Sequence, residues 1–142
     1  MVTVNQLLNE KGRNVLMVGP DDTVLDAISK MASNDVGSLV VLENGELVGI
    51  ITERHYARNV FLKGRSSPKT TVGEIMSTRV VCVKPEQSVE ECMAVMTENG
   101  VRHLPVLEEN RVIGLISIGD LVKSIISDQK FVIEQLEHYI SG

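Results

Sequence analysis

Two runs of the sequence place a hydroxyl side chain three residues before a side chain that can bind a polar ligand. Ser117 precedes Asp120, and Thr52 precedes His55. Each run directly follows an apolar stretch, as expected where a strand leads into a helix. A carboxylate in the position of Asp120 can accept two hydrogen bonds from a vicinal diol. The same spacing also suits a plain helix cap, with the hydroxyl as cap and the acid at the positive end of the helix dipole.

A second candidate site lies just before two apolar segments that read as strands. Arg102 and His103 precede one of them, and Gly37 and Ser38 precede the other. The small pair would let a ligand approach the backbone closely. The cationic pair would supply donors, and the planar fork of arginine suits phosphate. The alternatives are a surface ion pair for Arg102 and a half-buried, hydrogen-bonded ring for His103.

Basic residues are concentrated in one segment of this acidic chain. Between Glu53 and Lys69 the single acid is Glu53, and the chain as a whole has a net charge of −5. The bases of this segment are Arg54, Arg58, Lys63, Arg65 and Lys69. The segment could face a phosphate, or it could be a solvated linker.

No catalytic motif is present in the sequence. The three histidines, His55, His103 and His138, have no metal-site spacing with the two cysteines. Nucleophile-elbow, P-loop and dinucleotide-binding patterns are also missing. We therefore predict no catalytic residues, no metal site and no enzymatic activity. Cys82 and Cys92 are interpreted as reduced, buried thiols rather than as a disulfide or redox pair.

The chain repeats itself at a shift of 65 residues. Pro20 to Tyr56 aligns with Pro85 to Leu121 without a gap, and eleven of the 37 pairs are identical. A fixed internal period marks a duplicated structural unit. Two copies are too few for a solenoid but suffice for a closed pair about a pseudo-two-fold axis. A cleft on such an axis would occur twice.

Each repeat predicts the order β-α-β-β-α, and hence an α/β (α+β) fold. The first strands are expected at 15–18 and 80–83, and helices capped by Thr23 and Ser88 follow. The hairpins are expected at 39–51 and 104–116, the first with an Asn-Gly turn. The second helices begin after Thr52 and Ser117.

A shorter repeated segment precedes each repeat, and its two copies are 68 residues apart. The runs 3–8 and 71–76 both begin with the Thr-x-x-Gln/Glu capping-box pattern. The change of shift implies three extra residues near 9–12, which we expect in a surface loop. The predicted organisation is a first repeat at 1–63, a linker at 64–70, and a second repeat with a helical extension at 71–142.

The predicted C-terminal helix, at about 120–140, has an apolar stripe longer than one small half-domain can cover. We predict a homodimer through this stripe, with packing on its own domain as the alternative. The net charge and the scarcity of aromatic residues argue against nucleic-acid binding. No apolar run is long enough for a membrane span or a signal-peptide core, so the cytoplasm is the expected location.

Taken together, these features resemble a tandem pair of CBS domains, a Bateman module. The resemblance is carried by the repeat, by the run from Val101 to Val106, and by the Gly-x-x-Ser-x-x-Asp pattern from Gly114 to Asp120. Runs such as 52–58 and 117–123 are similar to stand-alone CBS-pair proteins of bacteria and plant organelles. The resemblance implies a disc-shaped module with two symmetry-related clefts for adenine nucleotides.

The resemblance also implies the ligand-binding residues. One cleft would combine Ser117 and Asp120 with Leu16, Val36, Gly37 and Ser38. The other would combine Thr52 and His55 with Val81, Cys82 and Val101. Arg102 and His103 would reach phosphates, helped by Arg54 or Arg58.

The chain departs from the family pattern at His55, where an aspartate is usual. An imidazole carries no fixed negative charge, so we expect unequal clefts with the Asp120 cleft binding more tightly. The leading hypothesis is a non-enzymatic sensor of an adenine nucleotide, AMP first, with ATP, ADP or NAD(H) as alternatives, that signals to an unknown regulated protein. The second hypothesis is a constitutive dimeric interaction module with vestigial clefts.

Overall fold

The computed structural model describes residues 1–141, and within them each repeat forms its own small sheet and helices. The helices and strands, in chain order, are α1 (Val4–Lys11), β1 (Met17–Val18), α2 (Val24–Asn34), β2 (Ser38–Glu43), β3 (Glu46–Thr52), α3 (Glu53–Tyr56), α4 (Val72–Ile75), α5 (Val89–Asn99), β4 (His103–Glu108), β5 (Arg111–Ser117) and α6 (Ile118–Ser141). A π-helical turn, Ala57–Phe61, continues α3, and a 3-10 turn, Ser67–Lys69, lies in the predicted linker. The predicted fold class and the long C-terminal helix are confirmed.

The two hairpins are near copies of each other. In β2–β3, Asn44 and Gly45 have positive φ angles, and in β4–β5 Glu109 and Asn110 have them. Two consecutive positive φ angles give the turn that matches strand twist. Both hairpins also shift register at the same point of the repeat, between Val41 and Leu42 and between Val106 and Leu107.

The first strands of both repeats are shorter than predicted, and the one in the second repeat is reduced to a single bridge. β1 pairs in parallel with β2 through two residues, whereas the segment predicted at 80–83 makes only the single bridge Val83–Val106. The cause is Pro105. Its counterpart Val40 donates its backbone N–H to the Leu16 carbonyl, at 3.3 Å. Proline has no N–H to donate, so the ladder stops one step earlier.

The short helices that precede the repeats are exchanged between the two cores. Val4, Leu7 and Leu8 of α1 are buried among core residues of the second repeat. Val72 and Ile75 of α4 are buried in the core of the first repeat. The sequence patterns of α1 and α4 predicted two helices correctly, but not the exchange.

Backbone contacts hold each exchanged helix at the start of a helix in the other repeat. Thr3 bridges to Ser88, and Thr23 bridges to Thr71, so the caps of the four helices meet in pairs. Each pair is closed by two backbone hydrogen bonds of 2.8–3.0 Å, such as Val24 N–H to the Thr70 carbonyl. The two halves are thus tied together by symmetric contacts.

The three extra residues near 9–12 do not form the surface loop that the sequence analysis expected. α1 has eight residues and α4 has four, and residues 9–11 form the last turn of α1. Gly12, with a φ of 103°, ends this helix. The insertion lengthens α1 because it contains helix-compatible residues and carries Lys11 toward the second repeat.

The C-terminal half of α6 leaves its own repeat. Leu121 is buried and Ile125 packs against the core of the second repeat, but the apolar residues from Ile126 onward are exposed, including Leu136 at 56%, Tyr139 at 88% and Ile140 at 82%. Among residues 1–141, none of the helices combines the length and the apolar character that a bilayer crossing requires.

Candidate functional site

A cleft of about 410 Å³ lies between the two repeats. In the first repeat, the end of β3 and the turn that follows this strand form its wall. In the second repeat, the wall is formed by the segment before α5 and by the start of β4. Its lining residues are Gly37, Ile50, Thr52, Glu53, Arg54, His55, Arg58, Ser77, Arg79, Val80, Val81, Gly100, Val101, Arg102 and His103.

The structure therefore brings together most of one predicted site. Thr52 and His55 of the first repeat share this cleft with Val81 and Val101 of the second. The predicted phosphate-binding residues also lie in its wall, and these are Arg54, Arg58, Arg102 and His103. Cys82 is half-buried and is not among the lining residues.

His55 takes over the capping role that an acid has in the second repeat. The ring Nδ1 of His55 accepts the backbone N–H of Thr52 at 3.1 Å. The backbone N–H of His55 donates to Thr52 Oγ1 at 3.2 Å. Asp120 does the same with Ser117, at 2.9 and 3.2 Å. Because Nδ1 accepts, the proton of the neutral ring is on Nε2. His55 thus offers one N–H donor where Asp120 offers a carboxylate.

The cleft is strongly cationic. Arg54, Arg58, Arg79 and Arg102 contribute four guanidinium groups, against one carboxylate, that of Glu53. Within the described residues, none of the four has a carboxylate oxygen within 4.0 Å. Burial, together with Arg54 and Arg58, lowers the pKa of His55. An anion is the ligand that such a wall favours.

His103 lies close to charged groups of both repeats. Burial and Lys11 lower its pKa, Asp120 opposes this, and Arg102 and His55 lower it further. The His103 Nε2 atom is 4.0 Å from the point where a side chain on Gly37 would begin, and the Glu53 carboxylate is 3.6 Å from it. Gly37 therefore keeps space open between these two side chains.

Asp120 lies outside this cleft and already has a partner. Its Oδ2 forms an ion pair with Lys11 Nζ at 2.5 Å, and the same ammonium donates to the Leu115 carbonyl at 2.5 Å. Burial alone would raise the pKa of Asp120, but hydrogen bonds from Lys11 and Ser117 outweigh it and lower the pKa. A smaller cavity of about 240 Å³ between α1 and α6 is lined in part by Lys11, Asp120 and Lys123.

The other residues predicted for the Asp120 site do not join it around a large cavity. Leu16 and Val36 pack against the core of the first repeat, and Ser38 is buried in β2. Gly37 lines the cleft of Thr52 and His55 instead. The sequence analysis expected the Asp120 cleft to bind better, yet the larger cavity is at His55.

Sequence reasoning missed several residues of the cleft wall. Arg79, Val80 and Ser77 come from the segment that joins α4 to the second repeat, and Gly100 ends α5. Arg79 could have been found, because it is a basic residue two positions before the predicted site residue Val81. Glu53 was seen as a sequence neighbour of the bases but not as a wall residue.

Both cysteines are free thiols. Cys92 is fully buried at the core position that Ala27 occupies in the first repeat. Burial, with Glu91 and Glu90, raises its pKa to about 11. Burial also raises the pKa of Cys82. Cys92 is thus buried as the sequence analysis predicted, whereas Cys82 is only half-buried. Raised pKa values favour the protonated form of both thiols.

The model of the CBS domain family matches the chain twice, at residues 11–61 and 72–127. The chain belongs to the CBS-domain family. CBS domain-containing protein CBSX3, mitochondrial, from Arabidopsis thaliana is 40% identical over 149 residues, which cover 99% of this chain and 72% of that protein.

Solved structures agree with this assignment. A CBS-domain protein of Burkholderia ambifaria, described as a signal-transduction protein, is 52% identical and superposes with a TM-score of 0.86 over 90% of this chain and 96% of its own. A distant CBS domain pair, 20% identical, superposes with a TM-score of 0.80 over 90% of this chain and 98% of its own, which shows the shared fold.

Proposed function

We propose that this protein is a non-enzymatic regulatory module that binds an adenine nucleotide in the cleft of Thr52 and His55. One observation carries the proposal: a cavity of about 410 Å³ that combines apolar side chains with four guanidinium groups. Ile50, Val80, Val81 and Val101 would contact a planar base, and the arginines would contact phosphate. The distant CBS pair was crystallised with 5′-methylthioadenosine and S-adenosyl-L-methionine, which supports an adenosine compound.

AMP is the first candidate ligand, and ADP, ATP and NAD(H) are the alternatives. We assign the phosphate to Arg102 and His103, with Arg54 or Arg58 as further donors, and the base to Val81 and Val101. The ligand must bind one conformation better than another to signal, because equal binding shifts no equilibrium. The regulated protein would bind one of the two conformations and so respond to the change in their populations.

A thermal-shift series tests the proposal. We expect AMP to raise the melting temperature of the wild type, since a ligand that binds the folded state stabilises it by mass action. Arg102→Ala should lose most of this shift. Arg111→Ala, which removes an exposed arginine of the second hairpin outside the cleft, should keep it. No shift with any of the four nucleotides would refute the proposal.

We further propose that α6 forms a homodimer contact. Residues at alternating steps of four and three line one face of the helix: Ile118, Val122, Ile125, Gln129, Val132, Leu136 and Tyr139. All but Gln129 are apolar, and Ile126, Ile133 and Ile140 widen the face. Such a heptad pattern is typical of helix pairs. The last turns of α6 touch little of their own chain, so its apolar face is left to be covered by another surface.

The second candidate function is a constitutive dimeric interaction module whose clefts no longer bind nucleotides. The observation in its favour is that neither repeat offers a free carboxylate at the diol position, since His55 replaces it in one and Lys11 occupies it in the other. Such a module would keep its oligomeric state and show no thermal shift. The cytoplasmic location stays a prediction, and the Arabidopsis relative is mitochondrial by name.

A further inference from the structure

The internal repeat identifies the space that would be the second cleft. A shift of 65 residues carries Ile50 and His55, both in the wall of the larger cleft, onto Leu115 and Asp120. The same shift carries Arg58 onto Lys123. Symmetry therefore places a second cleft beside the Leu115 carbonyl and the Asp120 carboxylate.

The Lys11 ammonium occupies this position. It lies 2.5 Å from both the Leu115 carbonyl oxygen and Asp120 Oδ2. In the first repeat the corresponding carbonyl, that of Ile50, accepts the backbone N–H of Ser77 at 2.9 Å instead. In residues 1–141, the hydrogen bonds of His55 go to Thr52, and its side chain lines the open cleft.

The three-residue insertion explains the difference. It extends α1 by one turn, so the chain reaches Leu115 with a side chain rather than with its backbone. Lys11 belongs to this added turn, which the second repeat lacks. In the larger cleft the wall includes Arg79, which donates to Asn99 Oδ1 at 3.5 Å and has no carboxylate within 4.0 Å in the described residues. The added turn thus brings an ion-paired ammonium to Asp120, whereas the cations of the larger cleft form no such ion pair among the described residues.

We propose that Lys11 is a tethered occupant of the second cleft, which closes it to nucleotides unless the ammonium leaves Asp120. The inference rests on the proposed function, because it takes nucleotide binding as the property of the open cleft. The side chains of Lys11 and Asp120 keep 39% and 20% of their exposure. Ion pairs with such exposure are modest in strength, so the side chain can be displaced.

The test counts AMP bound per chain at saturation, by equilibrium dialysis. We expect one for the wild type and two for Lys11→Met, which keeps the aliphatic stem but removes the ammonium. Lys11→Arg, which keeps a cation, and Lys84→Met, which removes an exposed lysine elsewhere, should both bind one. The double variant Lys11→Met, Asp120→Ala should return to one, because the second cleft then has no diol acceptor and lacks the four guanidinium groups of the larger cleft.

The outcomes separate this inference from the proposed function. Equal numbers of bound AMP in Lys11→Met and the wild type would overturn the inference, whatever that number is. A wild type that binds none of AMP, ADP, ATP and NAD(H) would refute the proposed function. Even then, one AMP gained by Lys11→Met and lost again in the double variant would support the tethered occupant.

Discussion

At the scale of single residues, His55 and Asp120 show how one structural role permits two chemistries. Both side chains accept the backbone N–H of the hydroxyl residue three positions before them. The helix start is preserved in each repeat because an imidazole nitrogen and a carboxylate oxygen are both good acceptors. What differs is the group left over from the cap, which is an N–H donor at His55 and, at Asp120, a carboxylate that is paired with Lys11.

We predict that His55→Asp converts the open cleft into a better diol binder. The new carboxylate keeps the cap and adds charge-assisted hydrogen bonds to ribose, each worth ~1.5–3 kcal/mol. The preference for AMP over 2′-deoxy-AMP should therefore rise by roughly tenfold in titration calorimetry. His55→Asn is the matched control, with the same cap and no charge. Equal ribose preference in the two variants would contradict this role.

Acidification should destabilise the fold through His55 and His103. Burial and neighbouring cations lower the pKa of both rings from the usual 6.5. As the pH falls below 6.5, the unfolded chain takes up protons before the folded one does. The free energy of unfolding should therefore fall between pH 7.5 and the lowered pKa values of the folded state, and level off below them.

Urea unfolding at several pH values measures this effect. The double variant His55→Gln, His103→Gln should lose much of the pH dependence over that window. His138→Gln, a change on the exposed part of α6, is the control and should keep it. A pH dependence that is the same in all three proteins would assign the effect to other groups.

The sequence analysis identified the capping pairs of the two repeats, but not the ion pair that one of them forms with a distant residue. The hydroxyl and its capping partner were visible at Thr52 and Ser117 because the spacing of three is local. The ion pair of Lys11 with Asp120 spans 109 positions and depends on one added helical turn. No local pattern carries that information, so the expectation of a more available Asp120 cleft did not include it.

At the scale of elements, the exchanged helices α1 and α4 explain the repeated glycines. A side chain on Gly49 would begin 2.6 Å from Met76 Sδ and 2.9 Å from the Ser77 carbonyl oxygen. One on Gly114 would begin 2.6 Å from a terminal carbon of Leu8, which is fully buried. Gly49 and Gly114 thus allow each exchanged segment to lie directly against the hairpin of the other repeat.

We predict that Gly49→Ala destabilises the protein by about 1–3 kcal/mol, as overpacking usually does. The Ser77 carbonyl cannot withdraw easily, because it accepts the Ile50 N–H at 3.0 Å. Gly119→Ala is the control, since its side chain would meet only Ser117 Oγ at 3.6 Å. Denaturant unfolding measures both. A loss for Gly49→Ala no larger than for Gly119→Ala would contradict the close packing.

The elements were predictable where their signals are local. The capping boxes, the Asn-Gly turn and the apolar periods gave the helices and hairpins. The exchange of α1 and α4 was not predictable, because a capping box shows where a helix begins but not which core receives it. The shortened strand at 80–83 follows from Pro105, whose missing N–H matters only once its partner is known.

At the scale of the whole molecule, the two repeats are similar and related by pseudo-symmetry, but α6 has no equally long counterpart in the first repeat. The first repeat ends its second helix in a π-helical turn, whereas α6 continues for 24 residues. The family model matches as far as residue 127, so the exposed end of α6 lies beyond the matched region. The extension is where we expect this chain to add its own contact.

We predict that Leu136→Glu abolishes the dimer, since a charge in the middle of the apolar face is costly to bury. Sedimentation equilibrium should give a dimeric wild type and a monomeric variant. His138→Glu introduces the same residue about 200° around the helix, at ~100° per residue, and should stay dimeric. A monomeric wild type, or a dimeric Leu136→Glu variant, would contradict the α6 contact.

The central claim is that the cleft of Thr52 and His55 binds an adenine nucleotide. A titration of isotope-labelled protein with AMP, followed by amide chemical shifts in NMR, tests it residue by residue. We predict saturable shifts centred on Thr52, Val81 and Val101, with much smaller shifts at Leu115 and Asp120. No saturable shifts with millimolar AMP, ADP, ATP or NAD(H), or shifts confined to Leu115 and Asp120, would contradict the claim.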